Sequence, residues 1–392
     1  MTRRALRLAV VGVRGMPSAR GYGGIERACE GLYSRLAARG HEITVFCRSG
    51  VPVAPTYRGM RLRALPAVRT RSLETLSHAA LSVAVALAGD RFDLVHLHAL
   101  APGLFAPACR ARGVPSVVTV HGLDWQRARW RGLGSRVLRL AERTIARSAD
   151  GVVVLSQDLA AHFQRVYGRA TTVIPNGVEP APPADPRELD ALAAFGLTAC
   201  RYVLYVGRLV PEKRIQDLVA AFEDVPGPHR LAIVGECNYD DGYARGLRAR
   251  AAADPRIVFT GAQQGAMLGT LFRGAAALVL PSELEGLPMV LLEALQYGVP
   301  AVASDIPPHR ELLGRIEGYD LFFPVGDHRA ITDRLARVIG DPLGYARVAE
   351  RGRAMVLAEY DWEAVADRTE AVYERVLAEA GRSRAARLAV AE

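Results

Sequence analysis

The chain has 392 residues, of which 50 % are hydrophobic and 23 % charged, with a formal net charge of +9. That length suits two domains of ordinary size, and the composition excludes disordered and collagenous classes. No apolar run approaches the length of a membrane span; the longest, near Ala79–Ala88, reads as a buried helix.

Arg3 and Arg4 precede a strand with no small-residue cleavage site, so no signal peptide is expected. That strand, Leu6 to Val11, leads into a glycine-rich loop from Gly12 to Gly24 that includes Gly21 and Tyr22. A helical pattern follows from Ile25 to Arg39 and closes at Gly40, a C′ position. Ile43–Cys47, Asp93–Leu97, Ser116–Val120, Gly151–Leu155 and Thr171–Ile174 read as strands, with helices between most of them, for example Arg136–Arg147. Such alternation predicts a mostly parallel, doubly wound sheet. Glu179 to Pro186 then carries four prolines in eight residues and reads as a linker. Alternation restarts with strands near Tyr202–Val206, Arg230–Val234, Ile257–Thr260, Ala277–Leu280 and Pro300–Ala303. The expected fold is therefore α/β, two doubly wound domains over 1–178 and 187–360 whose loops face across a cleft. That is a two-substrate geometry.

Charge divides with the domains. Residues 1–180 hold 26 basic and 11 acidic side chains, net +15, whereas 181–392 hold 24 and 30, net −6. The first half is thus suited to an anionic partner. Cys29, Cys47, Cys109, Cys200 and Cys237 are scattered without a Cys-x-x-Cys, which argues for a reducing cytoplasm and against a zinc site.

Of the 50 Lys and Arg residues, 49 are Arg and the single Lys is Lys213. An ammonium is a compact point charge and a guanidinium a planar fork, so the exception matters. Lys213 follows the strand Tyr202–Val206 and the turn at Gly207-Arg208-Leu209, with Pro211 suited to a first helical position. Arg208 and Lys213 are thus expected at a strand end and in the first turn of a helix, where α/β proteins bind ligands. A second strand–loop–helix junction runs from Pro281 through Glu285, Gly286, Leu287 and Pro288 to Met289, Val290 and Glu293, stopping at Gly298. Its helix N-terminus suits an anion, with Glu293 expected about two turns in and about 12 Å from Glu285.

Taken together, Gly23-Gly24-Ile25-Glu26, His121-Gly122, Ile174-Pro175-Asn176-Gly177-Val178, Gly207-Arg208-Leu209 with Lys213, and Glu285 to Glu293 stand in the order of a known family. Over nearly its whole length the chain resembles the retaining nucleotide-sugar glycosyltransferases of glycosyltransferase family 4, of GT-B fold. The resemblance implies that Arg208 and Lys213 hold the donor diphosphate, that Glu285 faces the donor sugar and that Glu293 binds the ribose. It places the base against Gly261-Ala262-Gln263, has His121 contact the donor sugar or steady an oxocarbenium-like transition state, and has a final helix, about 361–378, cross back to the first domain. Gly23, Gly24, Asn176, Gly207, Gly286, Leu287, Met289 and Val290 are the remaining donor-side positions. Pro288 departs from the glycine that family members commonly carry, and Pro has no N–H to offer a phosphate. Lys213 also stands at a spacing shortened relative to some relatives.

No Asp-x-Asp occurs, and Asp240-Asp241 have the wrong spacing, so no metal or other cofactor is expected; Arg208, Lys213 and the helix N-terminus would meet the leaving-group charge. His96 and His98 form a His-x-His pair with no third ligand at suitable spacing. The Gly12–Gly24 loop lacks a Gly-x-Gly-x-x-Gly in register and instead lets substrates approach the backbone, with Arg14 and Glu26 as acceptor-side candidates. Asp124-Trp125-Gln126-Arg127-Ala128-Arg129-Trp130-Arg131 suits either an acceptor flap, through Asp124 and Trp125, or peripheral contact with an anionic inner-membrane face. No nucleic-acid motif supports a nucleic-acid partner. The basic segments resemble those of members from extracellular polysaccharide pathways, whose acceptors are lipid-linked saccharides. The expected reaction is hexosyl transfer from a UDP-sugar to a glycan or lipid-linked acceptor. The alternatives are a small natural-product acceptor, a nucleotide-sugar epimerase on the same fold, and a binding protein without catalysis.

Overall fold

A computed structural model describes residues 4–18, 23–50, 54–70, 73–89, 91–127, 130, 132–183, 185–237 and 242–391. Arg3, Gly21, Tyr22, Ala128, Arg129, Arg131, Asp240 and Asp241, named above, lie outside them. The chain forms two units, 1–177 with 362–392, and 178–361.

The first unit is built on eight strands: β1 (Arg7–Val11), β2 (Glu42–Arg48), β3 (Thr56–Tyr57), β4 (Met60–Leu65), β5 (Leu94–His98), β6 (Ser116–Val120), β7 (Gly151–Val154) and β8 (Thr172–Val173). They lie in the order β3-β4-β2-β1-β5-β6-β7-β8, parallel except for the β3–β4 pair. Helices α1 (Gly24–Ala38), α2 (Glu74–Ala88), α3 (Leu100–Gly103), α4 (Ala106–Ala111), α5 (Leu133–Ser148) and α6 (Gln157–Tyr167) make the crossovers. The central strands are buried almost throughout, as helices on both faces require. In β4 the apolar run gives way to alternation, Met60 and Leu62 inward and Arg61 and Arg63 outward. That pattern belongs to a half-covered strand near a sheet edge, and it is why a search for continuous apolar runs passes over it.

The second unit holds β9 (Tyr202–Val206), β10 (Arg230–Val234), β11 (Ile257–Gly261), β12 (Ala277–Leu280), β13 (Ala301–Ser304) and β14 (Phe322–Phe323), all parallel, in the order β11-β10-β9-β12-β13-β14. Its helices are α7 (Ile215–Glu223), α8 (Tyr243–Ala251), α9 (Gly265–Arg273), α10 (Met289–Gln296), α11 (Pro307–Leu313), α12 (His328–Gly340) and α13 (Pro342–Glu359). Tyr205, Leu218, Phe222, Ile233, Val279 and Leu335 are fully buried in its core.

The last helix, α14 (Trp362–Ala391), belongs to the first unit. Trp362 is 3 % exposed and lies where a Cβ on Gly31 of α1 or on Gly177 would come within 2.4 or 2.5 Å of its ring. Arg39 reaches α14 through Glu363, Asp367 and Glu370, at 2.6, 2.8 and 2.8 Å. His41 takes the Leu6 N–H on Nδ1, which leaves the proton on Nε2 to be donated to Glu370.

The prolines after Val178 do not mark the boundary. The chain leaves the first unit between Gly177 and Val178, ahead of them. The proline-rich stretch is laid against the second unit, where Arg273 bonds the Pro182 carbonyl and Glu188.

Candidate functional site

In the second sheet β9 lies between β10 and β12, so the strand order reverses there and the loops after β9 and β12 diverge. Such a reversal opens a crevice at the carboxyl ends of the strands. Both of the junctions singled out in the sequence fall on it. Beneath them the glycines are sterically required: Gly235 has φ +142° and a Cβ there would stand 1.8 Å from the Gly207 carbonyl oxygen. Gly235 N–H donates to Gly261, the last residue of β11, at 2.9 Å. Gly207, Gly235 and Gly261 therefore mark the ends of three adjacent strands, with Ala262 N–H donating to Glu236 at 3.3 Å and the Gln263 amide to Thr260 O at 2.7 Å.

Lys213 does not sit in a helix's first turn. Pro211–Lys213 is a single 3-10 turn, Arg214 is left-handed at φ 49°, and α7 begins only at Ile215. Arg214 is fixed by Asp217 at 2.5 Å and Glu283 at 3.2 Å. The turn directs Lys213 across to the β12 loop, where its ammonium is paired with Glu285. The side chains are only 16 % and 10 % exposed, so each charge depends on the other for its solvation. Ser282 Oγ donates to the same Glu285 oxygen at 2.8 Å, and Ser304 Oγ holds the Ser282 carbonyl at 2.5 Å. Burial opposes ionisation of Glu285, but Lys213 and the Ser282 hydrogen bond outweigh it and hold the carboxyl below its ordinary range. Glu285 is therefore ionised at neutral pH.

His309 had no signal in the sequence beyond its place in Pro307-Pro308-His309. It is fully buried on α11, its Nδ1 donates to Ser304 O at 2.9 Å, and Nε2 has no hydrogen-bond partner among the described residues. Burial pushes its pKa down, with Glu285 and Lys213 acting in opposite senses, so it is neutral.

Pro288 precedes α10, and no side chain caps that helix. Leu291 N–H and Leu292 N–H turn back to the Pro288 carbonyl, so the first-turn amides of Met289 and Val290 are the ones aimed along the axis. Glu293 is the fifth residue of α10 and 7 % exposed. It stands one turn in, and not two, because Glu285 to Pro288 is loop. Gly286 and Leu287 complete that loop, and Arg208 lies half-buried after β9.

In the first sheet the reversal falls at β1, between β2 and β5. Gly12 sits there at φ +111°, and a Cβ would stand 2.4 Å from the His98 carbonyl oxygen. Glu26 is 5 % exposed, and its oxygens take Gly23 N–H at 3.0 Å and Arg14 N–H at 3.4 Å, with the Arg14 guanidinium at 4.0 Å. Its part is to hold the glycine loop at the start of α1, which begins at Gly24.

His121 follows β6 and ends a buried polar chain. Its Nε2 meets His98 Nδ1 at 3.0 Å; His98 Nε2 meets Tyr33 OH at 2.6 Å; His96 Nδ1 meets Tyr33 OH and Tyr373 OH of α14 at 2.7 Å each. His96 Nε2 closes the chain on Thr119 at 2.7 Å. All four ring nitrogens of His96 and His98 are engaged, which removes them as a metal pair, and no metal-holding cluster occurs among the described residues. Burial lowers His96 to about 3, with His121 adding to the effect, and lowers His121 to about 4, with Asp124 and Arg127 opposing each other. His121 is therefore neutral, and the buried chain fixes which nitrogen carries its proton.

Trp125 is turned inward. Its Nε1 donates to the buried Glu142 of α5 at 2.5 Å, and the Arg139 guanidinium covers its ring at 4.2 Å. Asp124 pairs with Arg127 at 3.0 Å. Both residues are half-buried, and Ala128, Arg129 and Arg131 of the same segment lie outside the described residues. Asn176 is buried beside Gly177.

Two family models match the chain, "Glycosyltransferase Family 4" over residues 22–181 and "Glycosyl transferases group 1" over 198–355. The chain belongs to glycosyltransferase family 4. It is 28 % identical to a glycogen synthase of Mycobacterium tuberculosis over 90 % of this chain and 91 % of that one. It is 29 % identical to a phosphatidyl-myo-inositol mannosyltransferase of Mycobacterium leprae, over 90 % and 93 %. Among solved structures it resembles a sucrose-phosphate synthase from Thermosynechococcus elongatus with a TM-score of 0.83 and 26 % identity, covering 95 % of this chain and 100 % of that one. The fold is that of the GT-B glycosyltransferases, two Rossmann-like α/β units, and this family member is a glycosyltransferase with a nucleotide-sugar donor.

Proposed function

We propose that this glycosyltransferase is retaining and metal-independent, and moves a hexosyl group from a UDP-sugar to a glycan or lipid-linked saccharide in extracellular polysaccharide synthesis. Its setting would be the cytoplasmic side of a membrane; no helix among the described residues is long and apolar enough to cross one. The observation that carries the reading is the buried Lys213–Glu285 pair at the strand-order reversal, beside the uncapped start of α10.

Breaking the bond from the anomeric carbon to the diphosphate builds negative charge on the leaving group. Arg208, Lys213 and the Met289 and Val290 amides supply fixed positive potential there, which removes the need for a cation. Glu285 orients Lys213, and presents its remaining oxygen to the sugar. Glu293 would bind the ribose, and Gly261 to Gln263 the base. Neutral His121 would donate to the sugar without adding a charge that repels an oxocarbenium-like centre. A leaving-phosphate oxygen would take the acceptor proton on the same face, which retains the anomeric configuration.

The acceptor is supported from two sides. Its relatives include one named for glycogen and one for a phosphatidylinositol, and the first half of the chain carries net +15. Calorimetric titration against UDP, GDP, dTDP and ADP tests the donor, with UDP expected to bind tightest. Proton NMR of the first-formed product should show the donor's own anomeric configuration, and turnover should survive saturating EDTA. Inverted product or complete loss on chelation would overturn the mechanism.

A further inference from the structure

α5 presents an outer face that mixes leucine with arginine. Leu133, Arg136, Leu140, Arg143 and Arg147 recur at intervals of three and four residues, so they form one stripe along the helix. All five are exposed, Leu133 at 75 % and Leu140 at 55 %. The inner face is filled by Leu138, Ala141, Ile145 and Ala146. The only acid of α5, Glu142, points into the protein, 1 % exposed and bonded to Trp125 and His162. Arg110 of α4 extends the basic edge by reaching the Arg147 carbonyl at 3.4 Å.

We propose that this stripe docks the protein on an anionic phospholipid surface, with the leucines entering the acyl boundary and the arginines meeting lipid phosphates. Two features select a bilayer over other polyanions. A nucleic acid or a polyanionic glycan would engage the arginines and leave Leu133 and Leu140 in water, whereas a membrane takes both. The stripe from residue 133 to 147 is about 21 Å long, a length that can lie flat in the headgroup plane. Trp125 braces α5, with its Nε1 on Glu142 and the Arg139 guanidinium over its ring. The proposal bears on the lipid-linked acceptor above, and rests on that reading only for its biological purpose.

The test is co-sedimentation of the full-length protein with vesicles of phosphatidylcholine alone or with about 30 % phosphatidylglycerol, without donor or acceptor, so that the two readings fail separately. Binding is expected on the anionic vesicles and not on the neutral ones. L133S/L140S should weaken it about tenfold, and R136S/R143S at least as much, while the melting temperature and donor binding stay unchanged. Absence of binding by the unaltered protein would overturn the proposal. So would full vesicle binding by L133S/L140S, which would make the stripe a general polyanion surface; retention of heparin binding by that variant alongside loss of vesicle binding supports it.

Discussion

Lys213 shows how a single side chain can be legible in type and illegible in partner. Its rarity among 49 arginines identified it, but nothing in the sequence joined it to Glu285, 72 positions later. That pairing follows from β9 and β12 being neighbours, which is a property of topology. Lys213→Ala should lower kcat by about 100-fold or more while leaving the circular dichroism unchanged. Lys213→Arg should recover little of it, because a planar fork does not fit between Glu285 and a phosphate; full activity there would end the argument for an ammonium. His96 carries a second expectation. Its pKa is about 3 in the fold against about 6.5 unfolded, so the unfolded chain takes up the proton first. Stability is fully present above about pH 6.5 and falls as pH drops toward 3. Urea unfolding at pH 5.5 should show about 1.4 kcal/mol less stability from this residue than at pH 7.5. His96→Gln should remove that part of the slope.

At the scale of elements, continuous apolar runs located the buried strands, and glycines located the turns that end them. The elements that escaped were those whose signal is tertiary. β4 alternates because only one of its faces is covered, and β14 is two residues long. The Trp125 segment read as an outward flap because its composition is amphipathic; the bond from Trp125 to Glu142, 17 residues on, had no signal there. α14 is the clearest case: its start was readable, but it runs to Ala391 and not to about 378, and its attachment to the first unit came from family resemblance. Trp362 is the anchor, so Trp362→Ala should destabilise the first unit by about 3–5 kcal/mol. The measurement is a denaturant titration followed by hydrogen exchange, which should place the loss in α1 and α14.

Across the whole molecule, charge and steric requirement are distributed by role. The basic half carries the proposed membrane surface and the acidic half the proposed donor site, although the donor is itself an anion. Locally, Lys213, Arg208 and the start of α10 reverse the sign that bulk composition gives the second unit, which is why net charge marked the first half and not the site.

The pairing at the boundary has a practical side. Val178 N–H donates to Tyr360 O at 2.7 Å, and Val178 forms a parallel bridge with Asp361, so the outgoing and returning strands run side by side. Neighbouring strands lie about 4.8 Å apart, a gap that about two or three extended residues span. A discontinuous unit can therefore be rewritten as a continuous one: joining Gly177 to Trp362 through such a linker should yield an independently folding protein with a single cooperative transition. Vesicle binding should travel with it, and donor binding should not.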